Sequence, residues 1–541
     1  MRIRHAILPG MVGLSVVAAV AIAARTSEPS SRAMPGEVPR LAAASQFDRL
    51  LADEWEAAGV EPSEPADDLT VLRRLSLALH GTIPSLEELR QFEADDEPRR
   101  LARWTRRMLH DPRFGNYFAE RLVRPMVGTQ QGPFAIHRRD RLNAWLAERL
   151  LSDRPWDQTV SHLISDEGVW TETPAANFVT MNITDDDLDE NAMTARTVRA
   201  FLGQRIDCAQ CHDHPFDHWK QDQFEGLAAC YGQAGLSIGG LVDDPTQTYT
   251  VQDRQTLEDR TIAPAFPFGD DWLSDADRQQ RPRLQLARWV THENNRRLDR
   301  AIVNRVWTLM MGRPLDPSRP VDDLPDPPSA GEDDILGLAV LVDEFRRGGR
   351  RIQPLIETIA ATRAFRMSSV SALSASDRQA ATELWAVRPL VQLRPEQAIG
   401  AMLQAGSIGT IDRDSHLIVR IVRSVREKGF VDDYGDAGDA ELEPRAATTA
   451  QALLRMNGKL VREITEANPF TASGRLHIVY DGRPEQLVRA AYLTCLTREP
   501  TEAEREYLAA DLVELEDRNS EQAVQDLFWV LFNSPEFSWV R

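Results

Sequence analysis

The chain has 541 residues, 42% hydrophobic and 27% charged, an ordinary globular composition at a length that suggests roughly two to four domains with ample core. Its net charge of −20 argues against nucleic acid as a partner and against adhesion to anionic lipid, because both require basic surfaces. With only 4 cysteines in the chain, any cluster of them is a chemical signal.

In chain order, Arg2 and Arg4 precede an uncharged run rich in Ala, Val and Ile over residues 6–24, closed by Arg25. The run is long enough to span a bilayer. Residues 1–25 read either as a cleaved export signal, since Ala21 and Ala23 fit a small-x-small cleavage site, or as an uncleaved membrane anchor. Both readings keep the positive residues cytoplasmic. The bulk of the chain is therefore expected on the periplasmic side of the inner membrane, tethered there or released. Residues 26–45, opening on a Ser- and Pro-rich stretch, read as a flexible linker.

From Phe47 onward the apolar spacing is helical. Phe47, Leu50, Leu51 and Trp55 share one face, as do Leu69, Leu72, Leu75 and Leu79, with Gly81 placed to stop the second helix. Ser85 and Glu88 make a capping box for the next, and Leu101, Trp104, Met108, then Leu142, Trp145, Leu146 continue the pattern. His80, His110, His137 and His162 are scattered among these helices and read as packed or solvated side chains rather than ligands. Asp185, Asp186, Asp187, Asp189 and Glu190 form an acidic run without the glycine and closing glutamate of a calcium loop. They read as negative charge at the N-terminus of a helix predicted over about residues 191–206.

That helix delivers the chain to Arg205-Ile-Asp-Cys-Ala-Gln-Cys-His-Asp-His-Pro-Phe-Asp-His-Trp219. Cys208, Cys211 and His212 make the C-x-x-C-H pattern of covalent haem attachment. Two thiols one turn apart can add to the two vinyl groups of one haem, and the adjacent imidazole then ligates the iron. Two other readings stay open. Cys208 and Cys211 can close a small disulfide or act as a redox pair, with His212 incidental. Alternatively, Cys208, Cys211, His214 and His218 form a thiolate and imidazole set suited to zinc or iron. Against this set, only two residues separate Cys211 from His214, and Pro215 breaks the helix that would align His214 with His218. The next helix, predicted over 221–231, turns Phe224, Leu227 and Ala228 inward, where they can wall an apolar haem pocket, and leaves Cys230 as a buried free thiol. His214 and His218 lie too near His212 to reach the other haem face easily, so Met181 and Met193 are the upstream candidates for a sixth ligand.

Thr194-Ala-Arg-Thr-Val-Arg-Ala-Phe-Leu-Gly203, the cysteine motif itself, and Gln221-Asp-Gln-Phe-Glu-Gly-Leu-Ala-Ala229 together resemble the planctomycete-type cytochrome-c-like domain of unknown function. Leu72-Arg-Arg-Leu, Gly81-Thr-Ile-Pro-Ser-Leu-Glu-Glu and Asp111-Pro-Arg-Phe-Gly-Asn-Tyr-Phe agree with it. Arg283-Leu-Gln-Leu-Ala-Arg-Trp-Val-Thr291, Ala301-Ile-Val-Asn-Arg-Val-Trp307 and Ala523-Val-Gln-Asp-Leu-Phe-Trp-Val-Leu-Phe-Asn-Ser-Pro-Glu-Phe537 resemble the C-terminal domain that usually follows it. The resemblance implies an exported protein, often found with a secreted sulfatase-like partner family. Many such proteins carry a further cytochrome module; none is evident here, which implies a single haem.

Between the halves, residues 232–272 are rich in Gly, Asp, Pro and Thr, and 248–251 can pair with 261–263 as a small β-hairpin. Gly235-Leu-Ser-Ile-Gly239 matches a nucleophile elbow, but Gly240 and Asp243-Asp-Pro245 promise a turn where that elbow needs a helix, so the match reads as chance. Further on, Ile302, Val306 and Leu309 line a helix ended by Gly312; Leu336, Val340, Leu341 and Phe345 line another ended by Gly348-Gly349. Thr501 and Glu504 cap a third. Residues 432–443 read as an exposed acidic loop, and nothing local recommends His292, His416 or His477 as ligands.

The expectation is a mainly α protein with two helical domains, a cytochrome-c-like one over 46–245 and a partner domain over 281–541, joined by a loop and hairpin connector over 246–280. Its expected role is that of a c-type cytochrome-like protein with one haem c, serving electron transfer or haem-based redox chemistry with an exported redox partner or a sulfatase-like one. Whether it is also an enzyme is open. A zinc- or iron-dependent exported enzyme, or an interaction protein stapled by a Cys208–Cys211 disulfide, are the alternatives.

Overall fold

The computed structural model describes residues 37–541 except 130–136, 185–186, 253–256, 270, 330–333, 412–428, 432, 436–437, 439–441 and 443–447. The apolar run at 6–24 and His416 lie outside the described residues. Among those described, no helix is long and apolar enough to cross a membrane. The protein is mainly α, with small two-stranded antiparallel sheets and isolated β-bridges as its β structure among the described residues.

The first described helix, Glu37–Ala58, begins inside the stretch read as linker. Its first turn accepts Pro39, and the alanines that follow favour helix while burying Ala43, Ala44 and Phe47. Helix Asp68–His80 starts where the Asp67 side chain accepts the Thr70 N–H and stops at Gly81, which takes the left-handed conformation expected of it (φ 67°). The reciprocal Ser85–Glu88 box opens Leu86–Glu93, and its counterpart at Thr501 and Glu504 opens the long helix Glu502–Asn533.

The segments expected as separate domains share one core. Residues 40–541 form one compact unit whose buried apolar cluster runs from Phe47 to Phe537. Phe47 packs on Trp307 (ring centroids 5.2 Å apart), and Trp307 packs edge-on against Trp385 (5.1 Å). Arg73 reaches from helix Asp68–His80 to the carbonyl of Cys495 (3.1 Å), tying early chain to late. The connector forms a small hairpin as expected, but its strands are Thr250–Gln252 and Asp259–Thr261, with Thr250 opposite Thr261, shifted from the expected 248–251 and 261–263.

A second hairpin, Ala234–Ser237 against Gly240–Asp243, covers the Gly235–Gly239 match. Strand, turn and strand here exclude a nucleophile elbow, and the Ser237 hydroxyl is spent on the turn, donating to the Gly240 carbonyl (3.2 Å) and accepting from the Gly239 N–H (3.1 Å). Gly240 adopts φ 95°, and a Cβ there would stand 2.2 Å from the carbonyl oxygen of Gly168, whose backbone bridges to Leu241.

Candidate functional site

The helix leading to the cysteines is shorter than its periodicity predicts. Asp189 caps it by accepting the Ala192 N–H (2.8 Å), as the acidic run suggested, and it runs as α-helix over Glu190–Thr197. It then loosens to one π turn, Val198–Leu202, and stops at Gly203 (φ 67°) instead of continuing to Ile206. The cause is tertiary. The chain must turn where it meets helix Arg296–Met311, and a Cβ on Gly203 would lie 3.0 Å from that of Ala301.

Beyond Gly203 the approach to Cys208 is pinned, residue by residue, to the segment around residues 322–326. The Gly203 carbonyl accepts the Leu324 N–H (2.8 Å), and Gln204 donates to Asp326 (2.8 Å). Arg205 grips the Asp322 carboxylate through Nη2 (2.7 Å) and Nε (2.9 Å), and Arg199 pairs with the same carboxylate. Burial by itself would raise the Asp322 carboxyl, but Arg199 and Arg305 outweigh it and hold the group below the usual carboxylate range. Ile206 is then fully buried, and a 3-10 turn follows over Asp207–Gln210. Ala209 points into the core while Cys208 and Cys211 stand on the surface, both as free thiols.

His212 is exposed, and its Nδ1 lies 2.7 Å from the Asp213 carbonyl oxygen. A carbonyl only accepts, so Nδ1 carries a proton, and in the neutral tautomer this leaves the lone pair on Nε2. The loop after it is closed by the Asp213 carboxylate, which accepts from Lys220 Nζ (2.9 Å) and the Gln221 N–H (3.1 Å), and by the His214 N–H donating to the Trp219 carbonyl (2.8 Å). Lys220, then the Gln221 amide, hold Asp213 below its ordinary pKa. Phe216, at the loop tip, is 94% exposed, whereas Trp219 is buried and its Nε1 has no acceptor among the described residues. Helix Gln221–Ala228 and the turn Ala229–Tyr231 back the site, with Phe224, Leu227, Ala228 and the Cys230 thiol buried as the sequence suggests.

Cys208, Cys211 and His212 are all exposed, on and just after the 3-10 turn, and the structure does not gather the alternative set of Cys208, Cys211, His214 and His218. The His214 Nδ1 accepts the Phe216 N–H, and His218 is drawn to Asp217 (2.6 Å) and Asp326 (3.5 Å). Among the described residues, no group of three or more His, Cys, Asp or Glu is arranged to hold a metal ion. Of the two methionines named as sixth-ligand candidates, Met193 is fully buried with its sulfur 2.8 Å from Asn182 Nδ2, and Met181 is half-buried. Asp322, Asp326 and the Asp213 clamp were invisible to sequence reasoning. Arg205, inside the motif, was the one local hint of a distant carboxylate.

The donor set fits a covalently held haem. Both thiols are free and accessible, and the hydrogen bond at His212 Nδ1 leaves Nε2 unengaged, so Cys208, Cys211 and His212 are the residues that would hold it. Fold and site together define a mainly helical protein that displays a C-x-x-C-H turn. Residues 46–235 match the PSCyt2 family model, described as a protein of unknown function (DUF1549), and residues 282–415 match PSD1, described as a protein of unknown function (DUF1553). The chain carries these two domains in that order. No curated protein and no solved structure matches it.

Proposed function

We propose that the protein is an exported c-type cytochrome-like electron carrier holding one haem c. Cys208 and Cys211 are its thioether anchors and His212 its proximal ligand. The observation that supports this reading is that the two free thiols and the adjacent imidazole are all exposed, with His212 Nδ1 engaged by the Asp213 carbonyl and Nε2 left open. When bound, the haem supplies one-electron redox chemistry. The chain's own part is to hold the anchors: Asp322 fixes the approach, Ala209 roots the turn, and Asp213 locks the loop that follows. An attachment turn at the surface favours exchange with an exported redox partner. The charged N-terminus and apolar run at 6–24 support delivery to the periplasmic side of the inner membrane, tethered or released. A net charge of −20 favours a basic or neutral partner over nucleic acid.

Intact-mass measurement of the full chain, produced with a cytochrome c maturation system, tests this. The expected result is a gain of one haem in the parent protein and none in the Cys208→Ala/Cys211→Ala variant. A loss of two protons without metal would show a disulfide instead, and stoichiometric zinc or iron without haem would show a metal site. Either result contradicts the proposal.

A further inference from the structure

A cleft of about 800 Å³ opens on the second half of the chain, walled on its apolar side by Leu390, Leu393, Tyr434 and Trp539. Among the described residues its lining holds five arginines, Arg124, Arg205, Arg313, Arg319 and Arg394, and one carboxylate, Glu396; Arg124, Arg205 and Arg319 already face Glu120, Asp322 and Asp316, whereas Arg313 and Arg394 make no ion pair there. The Glu396 oxygens serve Arg121 (3.2 Å) and Arg124.

Adjoining the cleft, and sharing Gly312, Val391, Gln392 and Arg394 with it, is a recess of about 30 Å³ bordered by Arg74 and Arg388. Both of these side chains are only 2% exposed. Arg74 donates through Nε to the main-chain oxygen of Arg541, the last residue, and its other hydrogen bonds, like those of Arg388, go to neutral groups among the described residues. Arg388 donates to the Met310 carbonyl (3.0 Å) and to Met311 Sδ (2.5 Å), with its guanidinium over the Phe365 ring; Arg74 Nη1 donates to the carbonyls of Phe365 and Met367 (both 2.9 Å). Arg313 likewise spends itself on the Thr382 carbonyl and the Trp385 ring, and Arg394 on the Tyr117 hydroxyl (3.3 Å). Four buried donor atoms remain without an acceptor among the described residues: Nε of Arg313, Arg388 and Arg394, and Nη2 of Arg74.

Burying a guanidinium without a counter-charge costs several kcal/mol, and orphaned donors add to that cost. Burial first, and then the neighbouring charges of Arg74 and Arg313, push the Arg388 guanidinium well below its ordinary pKa. An arrangement so unbalanced is stabilised by whatever oxyanion enters it, since guanidinium groups match carboxylate, phosphate and sulfate in geometry as well as in charge. The volume suits a small organic molecule, and the leucines and aromatic rings suit its apolar body.

We infer that this cleft is a binding site for a small organic oxyanion, whose carboxylate, phosphate or sulfate group is held by Arg313 and Arg394 at the mouth of the Arg74–Arg388 recess. Arg205 links the site to the cysteine turn, because it lines the cleft and stands three residues before Cys208.

Calorimetric titration of the full chain with inorganic phosphate, sulfate and acetate, at constant ionic strength set by sodium chloride, tests the inference. Saturable binding of at least one anion is expected, and the tightest probe identifies the oxyanion class. Affinity should fall at least tenfold in Arg313→Gln/Arg394→Gln. Arg313 also braces Thr382 and Trp385, so Arg394→Gln alone is measured beside the double variant; a fall in affinity in either, with parental helical circular dichroism, supports the site. No saturable binding of any probe overturns it, as does unchanged affinity in a folded Arg394→Gln protein.

Discussion

Asp322→Ala is expected to cost about 3 kcal/mol of unfolding free energy and to loosen the turn that carries the cysteines. The Asp322 side chain is 3% exposed and receives Arg199 from the π turn and Arg205 from the approach to Cys208. Removing it leaves two guanidinium groups facing a void the size of a carboxylate. Losing one partner of a buried ion pair costs about 3–5 kcal/mol, because the remaining charge stays desolvated. Arg199 and Arg205 are themselves partly exposed, which moves the figure toward the lower end. Urea unfolding followed by circular dichroism measures the effect. A change below about 0.5 kcal/mol, the scale of an ordinary surface substitution, would mean that the carboxylate does not anchor the approach.

The second large effect concerns pH and His80. This side chain is 4% exposed, with Nε2 3.0 Å from the Met108 carbonyl and Nδ1 without a partner among the described residues. Burial, and then the Arg113 guanidinium, hold its pKa at about 4 against 6.5 for a free histidine, even though Asp111 and Glu88 pull the other way. The sign follows from proton counting. Below pH 6.5 the unfolded chain binds a proton at His80 that the folded protein refuses, so the contribution is fully present above 6.5 and is lost as pH falls toward 4. At ~1.4 kcal/mol per pH unit the loss is about 3 kcal/mol. Urea unfolding of the parent and of His80→Gln at pH 7 and pH 4 should show a pH dependence flatter by about that amount in the variant. Equal pH dependence in the two proteins would contradict a buried, neutral His80.

Much of this architecture was legible because local chemistry decides it. Ser85 with Glu88, Thr501 with Glu504, and the glycines at 81 and 312 mark helix ends through capping and backbone freedom, and each helix begins or stops there. The cysteine motif was legible for the same reason, since Cys208, Cys211 and His212 are adjacent in sequence. What failed to show was set by distant residues. The helix expected to reach Ile206 stops at Leu202 because Gly203 must pass Ala301. Residues 37–45 are helical because Ala43, Ala44 and Phe47 find a core to bury against. The arginine cleft joins positions as far apart as Arg74 and Arg394, and in a chain with 63 basic residues no local pattern distinguishes the arginines that lack a carboxylate.

The central claim is that a haem is bonded to Cys208 and Cys211, and a pyridine haemochrome spectrum tests it most directly. The full chain is produced with a cytochrome c maturation system, denatured and extracted with acidified solvent before reading, beside the Cys208→Ala/Cys211→Ala variant. The expected result is a c-type haemochrome that stays with the parent polypeptide through extraction and is absent from the variant. A parent protein that folds but retains no haem after extraction would contradict it.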